Sequence, residues 1–83
     1  MNDICDIDER LRQSLRILRA WRWMANLTAN PTEVVQILHA EARDLVDMGR
    51  QFPSRAYQIG KLIHAYQLLI QRVGAMRPRT EAA

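Results

Sequence analysis

From Ile4 onward the apolar residues return every three or four positions: Ile4, Ile7, Leu11, Leu15, Leu18, Trp21 and Ala25. At about 100° per residue they gather on one side of a helix, predicted over about 6–26. Acids crowd its beginning, where the helix dipole favours them, and Asp3 or Asp6 can serve as its cap. Ser14 lies inside the apolar face and marks a place where a neighbouring helix can come close.

A second pattern begins at Asn30-Pro31-Thr32-Glu33. A capping Asn, Pro at the first helical position and Glu three after the cap form a local start signal. Val34, Val35, Leu38, Ala42, Leu45 and Val46 make its apolar arc, with Ile37 and Met48 on the flank. Gly49 is the expected stop, which gives a helix over 31–48. A third helix is predicted over 54–73, with Ser54 as cap, Gly74 as close, and Ala56, Ile59, Leu62, Ile63, Tyr66, Leu69, Ile70 and Val73 as its face.

Short links make neighbouring helices antiparallel. The expected fold is therefore all-α. It is either a three-helix up-down-up bundle or a long helical hairpin with an extra N-terminal helix. Residues 1–74 form one domain, and 75–83 are expected to be a mobile tail. A chain of 83 residues buries a limited share of its surface, and small helical chains often gain stability by pairing. A homodimer is the favoured assembly. Hydrophobic residues make up 48% of the chain, which supplies a core and argues against disorder.

Charge changes the picture by its arrangement. Eleven of the twelve basic residues are Arg. Residues 1–9 are acidic, 10–22 hold five Arg, 31–49 are acidic again, and 50–79 carry six bases and no acid. The net charge of +3 is thus spread over alternating blocks, which weakens a polyanion-binding reading.

The stretch RLRQSLRILRAWRWM concentrates the question. Arg12, Arg16 and Arg19 lie opposite Leu11 and Leu18, and Trp23 falls among them. Arg19 and Trp23 are spaced for a cation–π contact. Ile17 and Met24 flank that side. Two readings stand. Trp23 and Met24 pack under the second helix or its loop and the arginines face solvent, or Arg12, Arg16, Arg19, Trp23 and Met24 form a partner-binding face. Trp and Arg are the types that dominate binding hot spots. On the third helix, Tyr57, His64 and Leu68 align away from the core. They read as a satellite of the core, an intra-dimer contact, or a second docking strip. Glu41 sits within the apolar arc of the second helix. An edge position reaching water is the preferred reading over a buried carboxylate partnered by an Arg of the first helix.

Catalytic patterns are absent. His39 and His64 belong to different helices, and no metal-ligand spacing occurs. Cys5, Ser14 and Ser54 have no sequence reason to meet a base. No Gly-rich loop precedes a helix. The arginines of the first helix are read as pointing outward, so an anion-binding pocket inside the bundle is not expected. No catalytic residue, metal or cofactor is assigned. One cysteine allows no internal disulfide, the acidic start argues against a secretory signal, and no apolar run suffices for a membrane span. The expectation is a cytoplasmic, non-enzymatic regulator of the adaptor, antagonist or inhibitor kind, of a size that mobile elements also encode. It acts by occluding or recruiting a larger protein. The alternative is a nucleic-acid-binding regulator that sets the same basic face on phosphate.

Overall fold

The computed structural model describes the backbone of residues 3–76 and the side chains of residues 7–76. Three helices follow in order: α1 (Asp3–Met24), α2 (Pro31–Gln51) and α3 (Ala56–Gly74). Short 3-10 turns at Ala25–Leu27 and Pro53–Arg55 complete the links. The all-α three-helix architecture is the one the periodicity predicts. α1 begins at Asp3, before the predicted start, so Asp6 lies within the helix and is not its cap. The side chains of Asp3 and Asp6, the Cys5 thiol and the tail from residue 77 lie outside the described residues.

Cross-helix pairs fix the topology. Arg10 meets Glu41 and Asp44, and Ser14 meets Glu41, so α1 and α2 run in opposite directions. Asp8 pairs with Arg55, Ser14 with Tyr66 and Asn26 with Arg72, so α1 and α3 run parallel. Gly49 lies beside Ile59 and Gly74 beside Val35, so α2 and α3 form an antiparallel hairpin. The arrangement is up-down-up. Most inter-helix contact lies within the hairpin, and α1 lies along it.

The core contains Ile7, Leu11, Leu18 and Ala25 from α1 and its turn. Val34, Leu38, Ala42 and Leu45 come from α2, and Ile59, Tyr66, Leu69 and Val73 from α3. Two arc positions differ from expectation. Val46 is 39% exposed, because it sits at the margin of the arc rather than its centre. Ala56 is exposed, one residue after the turn that aims α3.

The α2 start follows its signal. Asn30 Oδ1 accepts from the Glu33 N–H at 3.3 Å, and Pro31 fills the first turn. The Asn30 N–H donates to Thr28 Oγ1 at 3.1 Å rather than to the Glu33 side chain, so the reciprocal half of a capping box is replaced. Gly49 is not the stop. α2 passes through it to Gln51 and ends at Phe52, whose backbone is turned out of the helical region (φ −126°, ψ 71°) ahead of Pro53. The residue before a proline is disfavoured in the α conformation, and that steric rule outranks a glycine. Ser54 does not cap α3. The Pro53–Arg55 turn precedes Ala56, and no side chain caps the helix. Among the described residues no helix is long and apolar enough to cross a membrane.

Candidate functional site

The outer face of α1 is open. Trp23 is 68% exposed and Met24 37%. The reading that packs both beneath α2 or its loop is therefore corrected: both side chains stay exposed where α1 gives way to the Ala25–Leu27 turn. Trp21 is half-buried against the core, and so is Ile17, which belongs to the packed side rather than the open one. Leu27, 61% exposed, joins Trp23 at the end of α1. Sequence reasoning missed it, although an apolar residue four after Trp23 in a link was a usable signal.

Arg12 pairs with Glu9 one turn back at 2.9 Å, both side chains exposed. Arg16, Arg19 and Arg22 are exposed and have no carboxylate partner among the described residues. The cation–π contact among the described residues is Lys61 Nζ, 5.5 Å from the Tyr57 ring centre, and not Arg19 on Trp23.

The α3 strip is exposed too, with Tyr57 at 81% and Leu68 at 53%, so it is no satellite of the core. The structure also divides it. Tyr57 and His64 line an open hollow of about 410 Å³ with Ala56, Gly60 and Lys61. Leu68 lines a separate groove of about 160 Å³ with Arg22, Ala65, Leu69 and Arg72. One helix turn separates His64 from Leu68, and that is enough to hand Leu68 to the α1 side.

Inside the bundle lies a polar cluster. Arg10 reaches Glu41 with both terminal nitrogens, at 2.9 and 3.3 Å, and Glu41 retains 12% of its side-chain exposure. Ser14, wholly buried, donates to the same carboxylate at 2.8 Å. Tyr66 donates its hydroxyl proton to the Ser14 carbonyl at 2.6 Å. Two expectations are corrected here. Glu41 is the enclosed carboxylate with an arginine from α1, not an edge residue reaching water. Arg10 turns inward and does not join the outer arginines. Burial pushes the Glu41 carboxyl up, but the bonds from Arg10 and Ser14 and the Arg10 charge outweigh it and hold it below its ordinary range. The hydrogen bond to Glu41 holds Arg10 more firmly protonated than usual. Burial raises the Tyr66 phenol, the nearby Glu41 charge adds to this, and the Ser14 hydroxyl, 3.4 Å from the phenol oxygen, opposes it.

Ser14, beside a carboxylate, superficially suggests nucleophile and base. The carboxylate is already committed to a guanidinium, and Ser14 has no path to solvent. The cluster ties three helices in register, and every buried side-chain polar atom among the described residues has a partner.

A scan against protein-family models, a search of curated proteins and a search of solved structures each found no match to this chain. Among the described residues no group of three or more His, Cys, Asp or Glu is gathered to hold a metal ion. What the arrangement offers is a shaped exterior: an exposed indole, an exposed leucine and guanidiniums without a carboxylate partner among the described residues on α1 and its turn, and a tyrosine-lined hollow on α3.

Proposed function

We propose that this protein is a small non-enzymatic regulator that binds a larger protein through the outer face of α1, occluding or recruiting it. The observation that carries the reading is Trp23, 68% exposed beside Leu27 on a bundle whose core is filled without either. Trp and Arg are the types most enriched at the energetic centres of interfaces. Arg16 and Arg19, one and two turns before Trp23, supply the polar rim. A second copy of the chain pairs at the Tyr57 hollow, where Gly60 has no atom within 4 Å of its missing Cβ and lets another backbone approach closely.

A second reading rests on Arg16, Arg19 and Arg22, which lack carboxylate partners among the described residues and can follow phosphates. One experiment separates the two. Tagged protein is incubated with nuclease-treated lysate of the source cell at low and high salt. A protein held at high salt and lost with Trp23→Ala supports the protein-binding reading. Recovery of nucleic acid before nuclease, and of nothing after it, overturns that reading in favour of the second.

A further inference from the structure

Because α1 and α3 run parallel, their C-terminal turns arrive at the same end of the bundle, and each carries an arginine there: Arg22 on α1 and Arg72 on α3. Each helix dipole accounts for a basic residue in its last turn. It does not account for the groove between them, whose floor is Ala65, Leu68 and Leu69 and whose walls are these two guanidiniums, around about 160 Å³. Neither arginine has a carboxylate partner among the described residues, and Arg72 donates to the neutral Asn26 amide oxygen at 2.9 Å. No acid stands between Asp47 and Glu81, so α3 has no negative charge of its own to offer. Elsewhere Asp8, Glu9, Glu41 and Asp44 each meet an arginine.

We propose that this groove receives a carboxylate side chain from an acidic, amphipathic segment of the partner protein. The segment's acid sits between Arg22 and Arg72, and its neighbouring apolar residue sits on Leu68. The charge is complementary, guanidiniums bind carboxylates with directed paired bonds, and the half-exposed leucine supplies area that a phosphate cannot use. The inference rests on the protein-binding reading, since Arg22 directly precedes Trp23 and one partner segment spans both. It adds the chemistry of that partner.

The test uses the full chain, isotope-labelled, and two synthetic amphipathic helices of equal length, one Glu/Leu and one Gln/Leu. The Glu/Leu peptide gives saturable NMR shifts at the Arg22 and Arg72 Nε–H groups and the Leu68 methyls, and the Gln/Leu peptide binds about tenfold more weakly. Arg22→Gln alone, with helicity unchanged by circular dichroism, also weakens the Glu/Leu peptide, while Arg50→Gln does not. Equal affinity for the two peptides, or shifts as large at Arg43 and Arg50, overturns the proposal. So does tighter binding of a duplex DNA oligonucleotide to the same groove. If Glu81→Gln strengthens binding about tenfold, the chain's own tail is the occupant, and the proposal falls. Failures are separable: lysate capture that depends on Trp23 but not on Arg22 sinks the groove alone. Peptide shifts without any capture sink the α1 reading alone.

Discussion

Arg10 forks onto Glu41 across the seam between α1 and α2, with contacts of 2.9 and 3.3 Å. Arg10→Ala leaves a carboxylate enclosed and short of its main partner. Loss of one member of a buried pair costs about 3–5 kcal/mol, and partial solvent access at Arg10 reduces this to about 1–3 kcal/mol. Urea unfolding of the variant checks it. Arg10→Met with Glu41→Leu removes both charges together, and its midpoint is expected to lie closer to wild type than that of Arg10→Ala.

Acid sensitivity follows from the same pair. The Glu41 carboxyl is held below its ordinary range in the folded chain. Its contribution is therefore complete above the ordinary carboxylate range and is lost as pH falls through the lowered value. Unfolding midpoints between neutral and acidic pH should drop more steeply for wild type than for Glu41→Gln. Parallel curves would show that the pair carries no linkage.

Tyr66 anchors the far side of the cluster through its 2.6 Å bond to the Ser14 carbonyl. Tyr66→Phe keeps the ring and removes the donor, with an expected loss of about 0.5–1.5 kcal/mol. Because the phenol is raised, the wild-type advantage holds through neutral pH and fades as pH climbs past the ordinary tyrosine range. Denaturation at neutral and strongly alkaline pH reads both effects.

Gly60 faces open space on α3. Gly60→Ala should stabilise the isolated chain by about 0.5–1 kcal/mol, since alanine is the better helix former and meets nothing. In the proposed dimer the added methyl would intrude where the second backbone approaches. Thermal unfolding together with sedimentation should therefore show higher stability and weaker self-association. Unchanged association would remove the Tyr57 hollow as the contact.

Trp23→Ala is expected to leave stability within about 0.5 kcal/mol of wild type, as an exposed side chain outside the core should. Partner capture is the property it should abolish. A large drop in unfolding free energy would mean the indole serves the fold rather than the surface.

How far the sequence foretold this molecule differs from residue to residue. The α2 start was readable because capping is local: Asn30, Pro31 and Glu33 are neighbours, and nothing distant decides their bond. Helix faces were readable from spacing alone. Glu41 was misread because its environment depends on how far α1 slides along α2, a quantity no single helix encodes. Arg10 was misread for the same reason, and its partner lies 31 residues away. Gly49 and Ser54 carried true local preferences that Pro53 overrode by fixing the backbone around itself. The open face of α1 was legible in Trp23 and the arginines, but Leu27 and the split of the α3 strip depended on where a turn and a neighbouring helix happened to lie.

The links between helices are short, and they dictate an order of assembly. α2 and α3 are joined by a turn at Pro53–Arg55 and share the densest packing, so the hairpin closes by a local search. α1 completes its hold only by reaching Tyr66, 52 residues beyond Ser14. The transition state is then expected to be a formed hairpin with α1 still loose. Substitutions at Leu45 or Ile59 should slow folding, and those at Arg10 should chiefly hasten unfolding. The helix that carries the proposed binding face would then be the last to arrive and the first to leave.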